Sequence, residues 1–320
     1  MSQYSVLLTD RAWPSLDLER ELLAKVGAEL IEAPDGDEAT LCELANSADA
    51  IATCWAHVTG RVIEAAPKCK IVARLGIGLD NIDIEAATRR SIPVTNVPDY
   101  CVPEVADHTL ALLLALVRKI SHFDREIKQG RYDLLAAGPM NRLEGQTLGL
   151  LGFGRIARAV RTRSLAFGLN VIAHSNSGND YGTGCEMVSL EELLSRSDIV
   201  SLHVPLTQQT HRLIDTERLS VLKPGAILIN TSRGGLIDQA ALLESLIAGH
   251  LAGAGLDVYD PEPPDLSDPL IRHPRVIATP HAAFTSEESL RDLRTRVCGQ
   301  ISDILCGRRP EQVVNPEIYE

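Results

Sequence analysis

The stretch TLGLLGFGRIARAV (147–160) holds the residues whose types and spacing point most directly to chemistry. Gly152, Gly154 and Ala157 form a G-x-G-x-x-A turn after a strand-like apolar run and before a helical one, with a second apolar run at 170–174 behind it. The first glycine permits a tight turn, and the second lets the main chain approach a pyrophosphate. The small third residue lets helix and strand pack closely, and the helix N-terminus directs N–H groups at the phosphates. The pattern predicts a dinucleotide site. An acidic residue at the end of the second run would hold the adenosine ribose and reject a 2′-phosphate, but VIAHSNS places Ser175 there. Its chain neighbours, His174 and Asn176, supply no guanidinium for a 2′-phosphate, so the choice between NAD and NADP stays open.

Other reactive residue types are less pointed. Cys42, Cys54, Cys69, Cys101, Cys185, Cys298 and Cys306 form no C-x-x-C pair and no metal-ligand spacing, so reduced thiols and no metal site are expected. His203 opens a turn after a strand-like run and is placed to line a cofactor cleft. His108 lies in a helical stretch and reads as a packed or capping residue.

Such a turn needs a parallel sheet to carry it. Short apolar runs alternate with helical periodicities throughout the chain, the signature of consecutive β-α-β units. Aromatic residues make up only 4% of the chain, so the core must be Ala, Val, Ile and Leu, as in sheets buried on both faces. Runs at Val6, Glu29, Ala50, Ile71 and Val94 make one small doubly wound sheet. A second series, TLGLLG, VIAHS, DIVSLHV, AILINTS, GAGLDV and RVIATP, gives at least six more strands. Between them Pro98 and Pro103 forbid a continuous element, and one long helix is expected from about Val105 to Gln129. The closing helix, near 286–305, either packs on its sequence neighbour or crosses back to the first domain. The fold class expected is α/β, with two Rossmann-like doubly wound parallel-sheet domains. A flavodoxin-like substrate domain would comprise 1–98 and 287–320, and a dinucleotide-binding domain 99–286.

The 320 residues include 31 Lys and Arg against 43 Asp and Glu, a net charge of −12, which argues against nucleic-acid and anionic-membrane partners. A local basic pocket is still compatible with that balance. The longest apolar run, Leu110 to Val117, is far short of the roughly 20 residues that span a bilayer. The first residues lack a signal-peptide pattern, so a cytoplasmic protein is expected.

Five further stretches, RLGIGLDNID (74–83), HVPLTQQTHRLID (203–215), NTSRGGLID (230–238), GLDVYDPEPP (255–264) and TPHAAFTSEES (279–289), stand in this order along the chain. Together with the glycine turn they resemble the D-isomer-specific 2-hydroxyacid dehydrogenases over nearly the whole length. NVPDYCVPEVADHTLALLLALVRK is most similar to the branch of phosphoglycerate dehydrogenases and C-terminal-binding-protein relatives. The resemblance implies hydride transfer between NAD(P)H and a small 2-keto or D-2-hydroxy acid such as glyoxylate or hydroxypyruvate, in a homodimer. The alternative is a dinucleotide-sensing binding protein like the C-terminal-binding corepressors, which retain the same catalytic residue types.

The resemblance also implies a catalytic Arg233, Glu262 and His281. A guanidinium fork holds the carboxylate and carbonyl oxygen of a 2-keto acid in one plane. A histidine donates a proton to that oxygen as hydride reaches carbon, and a carboxylate on its other ring nitrogen orients it. Taken singly, each has an ordinary alternative: a surface turn, a solvated loop between prolines, a helix-entry residue. By resemblance the cofactor would also touch Thr109, Arg155, Ile156, Pro205, Thr210, Thr231 and Asp257, the last facing the nicotinamide carboxamide. The turn Leu75-Gly76-Ile77-Gly78 would offer N–H groups to the substrate carboxylate, with His57 and Tyr100 lining the pocket. The sequence departs from the phosphoglycerate dehydrogenase pattern in having no Arg between Ala52 and Gly60, which disfavours a phosphorylated substrate. With only a short tail after the last helix, no regulatory C-terminal domain is expected.

Overall fold

The computed structural model describes residues 3–320, which divide into two compact units: the chain up to Tyr100 together with Ser286–Glu320, and Cys101–Thr285. In the first unit the strands are β1 (Tyr4–Leu8), β2 (Ala28–Glu32), β3 (Ala50–Thr53), β4 (Val72–Arg74) and β5 (Val94–Thr95). Between them run α1 (Asp17–Ala24), α2 (Glu38–Ala45), α3 (Gly60–Glu64) and α4 (Ile84–Arg89). All strand pairs are parallel, in the order β2-β1-β3-β4-β5. Successive side chains of a strand face opposite ways, so Val6 and Leu8 enter one apolar cluster and Leu7 the other, which is why the strands read as unbroken apolar runs.

The second unit holds α5 (Val102–Val117), α6 (Ile120–Lys128), β6 (Thr147–Leu151), α7 (Arg155–Leu165), β7 (Asn170–His174), β8 (Glu186–Met187) and α8 (Leu190–Arg196). It continues with β9 (Ile199–Leu202), α9 (Thr216–Val221), β10 (Ala226–Asn230), α10 (Gln239–Ile247), β11 (Leu251–Leu256) and β12 (Val276–Ala278). The strand order is β12-β11-β10-β9-β6-β7-β8, all parallel, with apolar clusters on both faces.

Two details differ from the sequence expectation. The single helix expected from Val105 is two, because Lys119 takes a left-handed backbone (φ 55°) that ends the i to i−4 ladder between α5 and α6. Pro103 lies inside α5, in its first turn, where no intrahelical N–H bond is lost.

The closing helix, α11 (Glu287–Leu305), belongs to the first unit and puts Leu293, Val297, Ile301 and Leu305 into the cluster of Val6 and Leu8. Arg294 forks onto the buried Glu19 of α1 with two 2.6 Å bonds, and Gln300 donates to the Asn96 carbonyl. These buried polar contacts fix the helix against the sheet more specifically than apolar burial alone would.

Candidate active site

In the second unit the strand order reverses between β6 and β9, the place where open α/β sheets take ligands. The glycine turn leaves β6 there. Gly152 has φ 96°, and a Cβ on it would stand 2.4 Å from the His203 carbonyl oxygen, so no side chain is admissible. Gly154 caps α7 without a side chain to satisfy the first-turn N–H groups, and nothing lies within 4 Å of where its Cβ would be. Open space before an uncapped helix N-terminus fits a pyrophosphate, with Arg155 exposed and Ile156 half-buried in the first turn. His203 follows β9, its Nε2 at 2.9 Å from Ser201 Oγ, and burial pushes its pKa down to about 4, so the ring is neutral. Pro205 and Thr210 close the next turn on themselves, Thr210 Oγ1 donating to the Pro205 carbonyl at 2.7 Å.

Ser175 follows β7 directly, its Oγ 3.3 Å from Ser177 Oγ. Further along the loop, the Asp180 carboxylate accepts the Gly182 and Gly184 N–H groups, which hold its pKa low. The guanidinium of Arg158, from α7, stacks 4.0 Å from the Tyr181 ring. A reading confined to the neighbours of Ser175 in sequence does not find this cation, which the fold brings from another element.

Three adjacent strand ends then build one constellation. After β10, Asn230 donates Nδ2–H to the Arg233 carbonyl and accepts the Ser232 N–H, shaping the turn that presents Arg233. A Cβ on Gly234 would lie 1.9 Å from the Tyr259 carbonyl carbon, so the main chains of the two loops are in direct contact. After β11, the Tyr259 N–H donates to Glu262 Oε1 at 2.8 Å, and the phenol reaches the Leu256 and Thr279 carbonyls. Burial pushes that phenol up to about 12, so it remains a neutral staple. After β12, His281 Nδ1 meets Glu262 Oε2 at 2.7 Å. Burial alone would raise the Glu262 pKa. The His281 hydrogen bond and charge, the Tyr259 N–H and the Arg233 guanidinium outweigh it and hold the carboxylate low. Glu262 is therefore the ionised partner of the imidazole.

Thr109 and Asp257 sit behind this surface. Both are fully buried. Thr109 Oγ1 donates to the Val105 carbonyl and so accepts from Thr231 Oγ1 at 3.0 Å. Asp257 accepts from Thr279 Oγ1, Ala282 N and Ala283 N. Through these bonds both side chains brace the strand ends. Asn230 and Tyr259 were missed by sequence reasoning. Their signal, a polar residue ending an apolar strand and an aromatic in a proline loop, is too common to stand out.

In the first unit the turn after β4 has its own polarity. Leu75 N–H is committed to the Thr53 carbonyl, so the expected offer of that N–H to substrate is withdrawn. The carbonyls of Leu75 and Gly78 accept from the buried Arg74, that of Gly76 from Val97 N–H, and that of Ile77 from Asn96. Across a trans peptide the next N–H points the opposite way. The N–H groups of Gly76, Ile77, Gly78 and Leu79 have no acceptor among the described residues, which makes a nest for a carboxylate. Arg74, which sets this polarity, was quoted in the motif without a role. At the same end of the sheet His57 is exposed after β3, and Asp10 accepts the Cys54 and Trp55 N–H groups. Tyr100 is half-buried against the core. Among the described residues no cluster of His, Cys, Asp and Glu could hold a metal, and no helix is long and apolar enough to cross a membrane.

Residues 110–283 match the family model for the D-isomer specific 2-hydroxyacid dehydrogenase, NAD binding domain. The chain is 41% identical over 270 residues to a glyoxylate reductase of Korarchaeum cryptofilum, covering 82% of this chain and 81% of the relative. The chain belongs to the D-isomer-specific 2-hydroxyacid dehydrogenase family. It is accordingly an oxidoreductase of CH–OH donors that works with NAD(P). A D-3-phosphoglycerate dehydrogenase of Methanocaldococcus jannaschii is 41% identical over 262 residues, 81% of this chain and 50% of that relative. The chain thus spans half the length of this second relative. Among solved structures, the NADPH-dependent glyoxylate/hydroxypyruvate reductase of Sinorhizobium meliloti with NADP and malonate superposes at TM-score 0.87. It is 29% identical, with 98% of this chain and 97% of that one covered.

Proposed function

We propose that this dehydrogenase reduces small unphosphorylated 2-keto acids, glyoxylate and hydroxypyruvate first among them, using either NADH or NADPH. The observation that carries the reading is the 2.7 Å pair of His281 Nδ1 and Glu262 Oε2 beside Arg233. When bound at the glycine turn, the reduced nicotinamide supplies the hydride. Arg233 holds the substrate's carboxylate and carbonyl in one plane. Because Nδ1–H is given to Glu262, His281 presents Nε2–H to the carbonyl oxygen and donates that proton as charge develops there. Glu262 stabilises the imidazolium before transfer and keeps the ring oriented afterwards.

The loop after β3 supports an unphosphorylated substrate, since it has no arginine and its Cys54 and Trp55 N–H groups are held by the Asp10 carboxylate that follows β1. Acceptance of both cofactors rests on Ser175, Asn176 and Ser177. These are hydroxyl and amide groups that neither repel a 2′-phosphate nor clamp a ribose diol as a carboxylate does.

Steady-state kinetics on glyoxylate, hydroxypyruvate, pyruvate, phenylpyruvate and 3-phosphohydroxypyruvate with each cofactor test the proposal. Turnover of the small acids, lost in His281→Ala with dinucleotide binding retained, supports it. A preference for 3-phosphohydroxypyruvate over hydroxypyruvate, or full activity in His281→Ala, would refute it.

A further inference from the structure

We propose that His108 is a positioning residue of this active site, holding the His281 loop through Thr279 and Asp257. The proposal rests on His281 being the proton donor. His108 projects from α5 with Nε2 at 3.0 Å from Thr279 Oγ1 and 3.6 Å from Asp257 Oδ1. Thr279 gives its single hydroxyl proton to Asp257 Oδ1 at 2.6 Å. Its oxygen can then only accept from the ring, so His108 must carry its proton on Nε2. The contact is a directed chain, His108 to Thr279 to Asp257.

Asp257 is the far end of that chain and the anchor of the catalytic loop. Its carboxylate receives the Ala282 and Ala283 N–H groups at 2.8 and 2.9 Å, and its carbonyl receives the His281 N–H at 2.7 Å. His281 itself holds a left-handed backbone, φ 52°, an unfavourable conformation for a residue with a side chain, which these bonds on either side maintain. Rotation of the Asp257 carboxylate would shift the Ala282 and Ala283 N–H groups, directly after His281, and re-aim the imidazole. Thr279 sets that rotation, and His108 fixes the Thr279 rotor. The adjacent helix residue, Thr109, accepts from Thr231 two positions before Arg233. One turn of α5 therefore braces the strand ends that carry both the anion-binding arginine and the acid.

The test uses the intact protein and four variants: His108→Leu, His108→Gln, Thr279→Val and the Leu/Val double variant. His108→Leu should lower kcat on the order of 10- to 100-fold, the scale of a sub-ångström to ångström misplacement, with substrate KM and dinucleotide Kd within about twofold. His108→Gln, whose amide N–H replaces the Nε2–H donor, should recover most of the lost turnover. The double variant should be no worse than the poorer single one, because both cut the same chain. The proposal is overturned if His108→Leu leaves kcat unchanged, if Gln rescues no better than Leu, or if the two losses multiply. His281→Ala is run in parallel. If that variant is inactive while His108→Leu is normal, only this inference fails; if both are fully active, the acid assignment fails with it.

Discussion

Gly234→Ala tests how tightly the Arg233 and Glu262 loops are fitted. The added Cβ would stand 1.9 Å from the Tyr259 carbonyl carbon and 2.0 Å from its oxygen. Both obstructing atoms are main chain, and ordinary contact begins about 1.5 Å farther out, so one loop must move bodily. Tyr259 N–H holds Glu262, and residue 234 follows Arg233, so the displacement separates Arg233, the proposed substrate clamp, from Glu262 and His281, the proposed acid pair. A shift of about 1 Å in such a site costs on the order of 100-fold in rate. Overpacking of this kind costs about 1–3 kcal/mol. For a unit of this size that is a fall in Tm of roughly 2–12 °C. The assay is kcat/KM on glyoxylate or hydroxypyruvate, with dinucleotide Kd from fluorescence titration and Tm from a thermal scan of the same preparation. Because the glycine turn lies at a different strand end, Kd should stay within about threefold while kcat/KM falls about 100-fold or more. A variant with unchanged Tm and more than about a tenth of wild-type kcat/KM would refute the argument that these loops are locked to each other.

Three further outcomes are expected. Ser175→Asp restores a carboxylate that holds ribose hydroxyls and repels a 2′-phosphate, so the NADPH/NADH ratio of kcat/KM should fall at least about tenfold; an unchanged ratio would show that Ser175 does not face the ribose. Gly299→Ala, on the exposed side of α11 where the new methyl meets open space, should stabilise by about 0.5–1 kcal/mol without altering kcat, which denaturant unfolding will check. The Glu262 carboxyl is held below its ordinary value in the folded protein, so its contribution is present above the unfolded glutamate pKa of about 4.3 and lost as pH falls through the lower folded value. The Tm gap between wild type and Glu262→Gln should therefore be widest near neutral pH and close on acidification; a gap independent of pH between neutral and about pH 3 would contradict that linkage.

Local physics made much of this protein legible in its sequence. Period-two burial on both faces of a parallel sheet writes itself as unbroken apolar runs, so both doubly wound sheets could be read along the chain. Only short edge elements such as β8, with two residues, carried too little pattern. The glycine turn was readable because its constraint is local: Gly152 must adopt a positive φ, and Gly154 must leave a helix N-terminus open. Arg233, Glu262 and His281 were marked by motif resemblance, since nothing in a sequence states that residues 233, 262 and 281 end adjacent strands.

What only the tertiary structure decided is which polar groups are already committed. The Leu75 N–H looked like a ligand contact until its partner, 22 residues away in sequence at Thr53, was seen to occupy it, and Thr109 and Asp257 have bracing partners 122 and 25 residues away at Thr231 and Ala282. His108 looked like a packed helix residue until Thr279 appeared 171 residues away at 3.0 Å. Hydrogen-bond capacity is finite and is filled across strands. The sequence therefore determines which residues can do chemistry, and the fold determines which of them are left with an atom free to do it.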